Sequence, residues 1–151
     1  MALREIRKEG DEVLSKVCKE VKVFDKKLGI LLDDMYETMQ KNNGAGLAAP
    51  QVGILKRAVV IDVGDGLIEL INPKIIKEEG SQIGSEGCLS VPGVWGEVER
   101  PESVTVEALD RNGKKFEMSG TGLLARAFCH EIDHLDGILY TSHLVGELES
   151  N

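Results

Sequence analysis

The chain lacks any apolar run near the roughly 20 residues that a membrane-spanning helix requires. Its opening residues, MALREIRKEG, lack the apolar core of a secretory signal peptide. These absences favour a cytoplasmic protein with no membrane partner. Positive charge is scarce as well, because 18 Lys and Arg against 26 Asp and Glu leave a formal net charge of −8. A protein that binds nucleic acid directly would instead cluster Lys and Arg on one face, so we expect no such binding.

Cysteine is also sparse, and the three thiols (Cys18, Cys88 and Cys129) are odd in number and form no short-domain disulfide framework. We therefore expect reduced thiols. At least one of them then needs an explanation as a metal ligand, a nucleophile or a core residue. Repeats, low-complexity tracts and interdomain linkers are absent too, and the length suits a single domain over residues 1–151.

Apolar periodicity predicts two helices with a series of short strands between them. An amphipathic N-terminal helix should run from Asp25 to a breaker at residues 42–44, and a C-terminal helix should run from Thr121 to Gly137. The strand-like runs are RAVVIDV, LIELI, residues 97–100, SVTVEAL and KFEM. This order predicts an α+β fold in which antiparallel β-sheets pack around the C-terminal helix.

The C-terminal helix carries HEIDH at residues 130–134, an instance of the H-E-x-x-H pattern. Side chains four residues apart share one face of a helix, so His130 and His134 can bind one metal ion. Glu131 then lies beside the ion, in the position that the general base occupies in enzymes with the H-E-x-x-H pattern. The alternative is a pair of histidines in a salt-bridged helix face. A third ligand would decide between the two interpretations.

The third ligand has several candidates, since catalytic zinc-type sites use three protein ligands and keep one position for water. The longer pattern H-E-x-x-H-x-x-G-x-x-H is followed as far as Gly137, but Tyr140 stands where its third histidine should be. Upstream, GSEGCLSVPG sets Cys88 among glycines and a proline, which leave the backbone free to present a thiolate. We predict Cys88, with a buried structural thiol as the alternative. The other candidates, past the helix stop or in the acidic tail, are His143, Glu147 and Glu149.

Three separated stretches resemble, in the same order, the three motifs of the bacterial peptide deformylases: GAGLAAPQ (44–51), EGCLS (86–90) and HEIDH (130–134). The opening IRKEGDEVL resembles the start of that family as well, so the resemblance covers nearly the whole chain. It implies a metal ion bound by Cys88, His130 and His134. In the cell this ion is usually Fe2+, and Ni2+, Co2+ or Zn2+ can occupy the site.

The implied reaction is hydrolysis of the N-formyl group from the initiator methionine of newly made polypeptides, with release of formate. A divalent ion lowers the pKa of a water that it binds toward about 7, and Glu131 would take its proton and pass it to the leaving amine. By the same resemblance, the Gln51 side-chain amide and the Leu89 backbone N–H stabilise negative charge on the formyl oxygen. The implied partners are N-formyl-Met nascent peptides and, transiently, the ribosome.

The resemblance also implies that the substrate backbone adds as a strand along residues 44–51, where glycines permit a close approach. The methionine side chain would fill an apolar slot next to His130. The implied substrate-binding residues are Gly44, Ala45, Gly46, Gly87, Leu123 and Ala127. As alternatives, Leu123 and Ala127 could be core residues of a packed helix, and Gln51 could tie down a loop.

The chain departs from the family pattern at three places. Cys129 precedes His130 where the family usually has Gln, and its position on the helix suggests a core or supporting role. Ala45 stands where a larger branched residue is common, which predicts a looser methionine slot. Some members of the family dock on the ribosome through a long basic C-terminal helix. The segment after the predicted helix here, HLVGELESN, is not such a helix, which argues against that mode of docking.

Three other functions fit parts of the pattern. A metallopeptidase that cleaves ordinary peptide bonds would need a ligand other than Cys88. A metal-free thiol hydrolase would use Cys88 as its nucleophile and a histidine as base. A non-enzymatic, metal-stabilised module would normally close its site with four protein ligands, and only three converge here.

Overall fold

The computed structural model describes residues 2–151, and these form two α-helices and eight β-strands. Helix α1 spans Lys26–Lys41 and helix α2 spans Gly122–Leu135. The strands are β1 Gly46–Ala48, β2 Ala58–Ile61, β3 Ile68–Glu79, β4 Gln82–Cys88, β5 Val91–Arg100, β6 Ser103–Leu109, β7 Lys115–Thr121 and β8 Glu149–Ser150. None of the helices in this part of the chain is long and apolar enough to cross a membrane.

The strands form two sheets in which every pairing is antiparallel. The larger sheet has the order β1-β2-β3-β6-β7, and the smaller has the order β4-β5-β8. The predicted mixed fold with antiparallel sheets is therefore confirmed. β1 and β4 are edge strands of their respective sheets, and both line the same cleft. Within residues 2–151, each of these strands leaves one edge without a strand partner, so the cleft has two edges open to hydrogen bonding.

Helix α1 supports β1 and β2 from one side of the larger sheet. Asp25 caps it by accepting a hydrogen bond from the Leu28 N–H at 3.1 Å. Its leucines and methionines recur at helical spacing and are buried, as the periodicity predicts. Asn43, in the left-handed region with φ of 58°, follows the helix end and turns the chain toward β1.

Helix α2 packs its apolar face, including Phe128 and Ile132, into the core beneath the larger sheet. Thr121 occupies the N-cap position, although its side chain makes no capping hydrogen bond. Gly137 follows the helix with φ of 75°, and a Cβ there would lie 2.5 Å from the Ser15 carbonyl oxygen. Glycine is required at this position because both the backbone angle and the close packing exclude a side chain.

The N-terminal segment ties two loops of the cleft together through its backbone. The Arg7 N–H donates to the Gln51 carbonyl at 2.7 Å, and the Glu9 N–H donates to the Ser90 carbonyl at 2.7 Å. The Gln51 loop follows β1 and Ser90 follows β4. One segment therefore braces both sheets at the cleft.

Three strands are absent from the sequence prediction: β1, β4 and the two-residue β8 in the acidic tail. β1 lies in GAGLAAPQVG (44–53) and β4 ends in GSEGCLSVPG (84–93), and both stretches are rich in glycine. Glycine and alanine carry little intrinsic strand preference, so neither run gives a local strand signal. Pairing with β2 and β5 creates both strands.

Candidate metal centre and active site

Cys88, His130 and His134 meet in space, and one ligand atom from each lies within 4.8 Å of the others. Cys88 comes from the end of β4, and the two histidines lie one turn apart on α2. Cys88 Sγ is 3.3 Å from His134 Nε2. One thiolate and two imidazoles suit Zn2+, Fe2+, Ni2+ or Co2+, and three protein donors leave a coordination position for water. The residues present therefore fit a catalytic divalent ion.

Glu86 was missed in the sequence, yet it fixes one of these ligands. Its buried carboxylate accepts a hydrogen bond from His130 Nδ1 at 2.9 Å, from Arg126 at 2.7 Å and from Arg100 at 2.8 and 2.9 Å. Burial acts to raise the pKa of Glu86, but the bonds from Arg100 and His130 outweigh it and lower the pKa to about 2. A carboxylate that accepts from Nδ1 orients the ring and leaves Nε2 of His130 free to bind a metal ion.

His134 is fully buried, with 1% of its surface exposed. Burial lowers its pKa to about 3, because the charged imidazolium is the form that loses its hydration. The ring is therefore neutral at pH 7, and neutral imidazole is the form that binds metal ions. Tyr140, which replaces the third histidine of the longer motif, is buried and stacks on His130 with ring centroids 5.9 Å apart.

Glu131 is also buried, and its carboxylate faces the cleft beside the three candidate ligands. Its Oε2 lies 4.0 Å from His130 Nε2, and its Oε1 has no hydrogen-bond partner among residues 2–151. Burial raises the pKa of Glu131 to about 7. A carboxyl group with a pKa near neutrality can accept a proton and then return it.

Gln51 has two different roles at its two ends. Its side-chain oxygen accepts a hydrogen bond from the Ala48 N–H at 2.9 Å, which ties the loop together. Its Nε2 donates to Ser90 Oγ at 3.1 Å and lies 3.5 Å from Cys88 Sγ. The loop-tying alternative is thus correct for the oxygen, while the N–H group is directed toward the candidate metal centre.

A cavity of about 510 Å³ joins these groups and opens between β1 and β4. Leu123 is 59% exposed at its rim, so the alternative that Leu123 belongs to the core is wrong. The predicted catalytic, ligand and substrate-binding residues that line the cavity are Gly44, Ala45, Gly46, Gln51, Gly87, Cys88, Leu89, Leu123, Ala127, His130 and Glu131.

The rejected candidates lie elsewhere. His143 approaches Asp133 at 3.4 Å and is not part of the three-residue cluster, and Glu149 belongs to β8. Cys18 and Cys129 are both buried in the core cluster beneath the larger sheet. Burial raises the pKa of each thiol to about 11, so both stay protonated.

The model of the polypeptide deformylase family matches residues 3–149. The chain belongs to this family. It is 64% identical over 145 residues to the peptide deformylase of Acetivibrio thermocellus, covering 96% of this chain and 85% of that one. It is 60% identical over 147 residues to the peptide deformylase of Alkaliphilus metalliredigens, covering 97% and 100%.

Solved peptide deformylases have the same fold. The crystal structure of the Thermotoga maritima enzyme superposes with a TM-score of 0.94 at 41% identity, covering 95% of this chain and 99% of that one. The enzyme from Synechococcus elongatus, in complex with actinonin, superposes with a TM-score of 0.92 at 42% identity, covering 95% and 80%. As a peptide deformylase, the chain removes the N-formyl group from newly made polypeptides. The family consists of metalloenzymes, and the Cys88, His130 and His134 cluster is the possible metal site of this member.

Proposed function

We propose that residues 1–151 form one catalytic domain that hydrolyses the formyl amide at a single divalent ion held by Cys88, His130 and His134. The observation that carries the proposal is the convergence of these three donors, two of which, Cys88 and His130, line one cleft together with Glu131. We propose Fe2+ as the ion in the cell; Ni2+, Co2+ and Zn2+ suit the same donors. When bound, the ion supplies Lewis-acid chemistry, which polarises the formyl carbonyl and activates water at neutral pH.

Glu131 is the proton carrier in this proposal. Its carboxylate takes the proton from the attacking water as the oxygen bonds to the formyl carbon. It then gives this proton to the amine nitrogen as the C–N bond breaks, so formate and a free methionyl amine leave. The raised pKa supports both steps, because the group is neither too weak a base nor too weak an acid at neutral pH.

Gln51 and Leu89 stabilise the negative charge that develops on the formyl oxygen. The bond from the Ala48 N–H fixes the Gln51 oxygen, so its Nε2 is held toward Cys88 before substrate arrives. Leu89 follows Cys88 in the chain and lines the same cleft, which makes its backbone N–H the second donor. Donors that are already oriented cost no reorganisation in the transition state.

The substrate is an extended peptide that pairs with both open strand edges. Gly44 and Gly46 on one wall and Gly87 on the other allow its backbone to approach closely. The methionine side chain enters the slot formed by Ala45, Leu123, Ala127 and the flank of His130. Main-chain pairing supplies affinity, and this slot supplies selectivity for methionine.

The proposed partners are N-formyl-Met nascent polypeptides and, transiently, the ribosome that makes them, which assigns the protein to the cytoplasm. A net charge of −8 disfavours direct binding of nucleic acid. The metallopeptidase alternative lacks support, since residues 2–151 contain one candidate metal cluster and it includes Cys88.

The test combines metal analysis with formate release. Protein purified without oxygen should contain one equivalent of a divalent ion and release formate from formyl-Met-Ala-Ser but not acetate from acetyl-Met-Ala-Ser. Removal of the ion with a chelator should abolish release, and Fe2+ or Ni2+ should restore it. Full activity in metal-free protein would support the thiol hydrolase instead.

A further inference from the structure

Among residues 2–151, Lys8 is the only exposed charged side chain that lines the cleft. The other charged residues in its walls, Glu86, Arg126 and Glu131, are buried, and Glu86 and Arg126 form an ion pair at 2.7 Å. Lys8 Nζ lies 3.4 Å from the Leu89 carbonyl oxygen and forms no ion pair with any carboxylate of residues 2–151. An unneutralised ammonium group therefore stands at the mouth of the cleft.

The backbone on either side of Lys8 is fixed to the cleft. The Arg7 N–H donates to the Gln51 carbonyl and the Glu9 N–H donates to the Ser90 carbonyl, both at 2.7 Å. Lys8 is thus held between the loop of Gln51 and the turn that contains Leu89. The ammonium group of Lys8 therefore stays within one side-chain length of these two loops.

The course of residues 42–46, which lead into the start of β1, indicates which substrate residue approaches Lys8. Gly46 abuts Glu131, whereas a Cβ on Gly44 would lie 2.7 Å from Leu89 Cδ1, and Asn42 lines the cleft together with Lys8. The path from Gly46 toward Asn42 therefore leads away from the base and toward Lys8. A strand advances about 3.3 Å per residue, so a peptide with its first residue opposite Gly46 has its third residue opposite Gly44.

We infer that Lys8 is a specificity-determining residue that favours a carboxylate side chain, Asp or Glu, at the third residue of the formyl-methionyl substrate. This inference rests on the proposed function and its strand-like substrate. The net charge of −8 repels acidic peptides overall, so the attraction that Lys8 exerts on a carboxylate is local and acts against this repulsion. Exposed ion pairs are weak, which limits the expected preference to about 1.5- to 5-fold in kcat/KM.

The test measures formate release from formyl-Met-Ala-X-amide peptides in which X is Glu, Gln or Lys. The amide removes the terminal carboxylate, which would otherwise supply the same charge in every peptide. The wild-type enzyme should favour Glu over Gln and Gln over Lys, mainly through KM, and 1 M salt should erase the differences. Lys8→Gln should abolish the order and Lys8→Glu should reverse it.

Lys22→Glu is the matched control, because Lys22 is exposed and outside the cleft and the variant changes the net charge equally. It should keep the wild-type order. If Lys8→Glu also keeps that order while it releases formate normally from the Gln peptide, the inference is wrong and the deformylase activity stands. An equal preference for Glu at the fifth residue would also overturn it. Failure of the metal-loaded wild-type protein to release formate from any peptide would instead overturn the proposed function.

Discussion

Gly46 of β1 packs directly against the carboxylate of Glu131 on α2. A Cβ at residue 46 would lie 2.8 Å from Glu131 Cδ and still closer to Oε2. Real Cβ atoms do not approach that closely, so any side chain here would displace the carboxylate or the strand. The glycine therefore contributes to the position of the base as well as to the approach of the substrate.

Gly46→Ala should consequently lower kcat/KM by roughly 10², about as much as Glu131→Gln, because both variants remove a correctly placed base. Neither residue is a predicted ligand, so both variants should retain their metal. Formate release and metal content would be measured together. Gly29→Ala is the control, since Gly29 lies within α1 and a Cβ there meets only the end of the Arg111 side chain. A fully active Gly46→Ala enzyme would contradict this account of the base.

The proposed ligand set predicts that only one of the three cysteines, Cys88, is needed for metal binding. Cys88→Ala, His130→Ala and His134→Ala should each lose the bound metal and the activity, because two remaining donors hold a divalent ion poorly. Cys18→Ala and Cys129→Ala should keep the metal, since both thiols lie in the core. Metal content per protein is the measurement. A full equivalent of metal in Cys88→Ala would exclude Cys88 as a ligand.

Glu86→Gln should destabilise the metal-free protein by about 3 kcal/mol. The substitution removes the carboxylate charge that Arg100 and Arg126 share, so the buried Arg126 loses its ion-pair partner and Arg100 keeps only Asp133, and an unpaired buried charge is costly. Urea unfolding followed by circular dichroism would measure the loss. Glu79→Gln breaks an exposed pair with Lys77 and should change stability by less than about 0.5 kcal/mol. Similar small losses in both variants would contradict the importance of the buried cluster.

Asp34 gives the N-terminal segment a pH-dependent attachment. Burial acts to raise the pKa of Asp34, but hydrogen bonds from the Ala2 N–H and Arg4 outweigh it and hold the pKa below 3.8. A lowered pKa in the folded state means that the stabilisation is complete above about pH 5, begins to decline as the pH falls below 3.8 and is lost as the pH falls through the lower pKa of the folded state.

Asp34→Asn should therefore reduce stability by about 1–2 kcal/mol at pH 7, and the difference from wild type should narrow at pH 3. Urea unfolding at both pH values measures this change. The exposed Asp65 provides the control, because Asp65→Asn should have little effect at either pH. A constant difference between Asp34→Asn and wild type across this range would show that the carboxylate does not titrate in this way.

Ala45 tests the methionine slot. Each buried methylene contributes about 0.8 kcal/mol to binding, so a residue as small as Ala45 should bind the methionine side chain of the substrate weakly. Ala45→Ile should raise the ratio of kcat/KM for formyl-Met over formyl-Ala peptides by roughly 10-fold, the effect expected from added apolar contact. Unchanged ratios in a folded, metal-loaded variant would mean that residue 45 does not contact the methionine.

The two helices could be predicted because their signals are local. Asp25 and Gly137 mark ends, and apolar spacing marks the buried faces between those ends. β1 and β4 could not be predicted, because their glycine-rich residues carry no strand signal of their own and become strands only through pairing with β2 and β5. Glu86 was hidden because its partners Arg100 and Arg126 are 14 and 40 residues away. The available signal was a carboxylate two residues before the predicted ligand Cys88.

The site was predictable to the extent that sequence neighbours are spatial neighbours. His130, Glu131 and His134 follow from one turn of helix, and Cys88 joins them only because β4 ends beside α2. The two-sided bonding of Gln51 was beyond reach, since it depends on the Ala48 N–H and on Ser90 across the cleft. Lys8 gave no signal either, because the N-terminal segment reaches the cleft through backbone bonds that any residue type can make.

Gly137 shows how one letter can satisfy two unrelated requirements. Its backbone angle and its contact with the Ser15 carbonyl belong to the joint between α2 and the N-terminal segment, and neither involves the metal centre. The longer protease motif H-E-x-x-H-x-x-G-x-x-H also has a glycine at this position, but here the glycine is required for steric reasons. Agreement up to residue 137 is thus uninformative about the third ligand. A search for similar enzymes should give weight to the cysteine upstream instead.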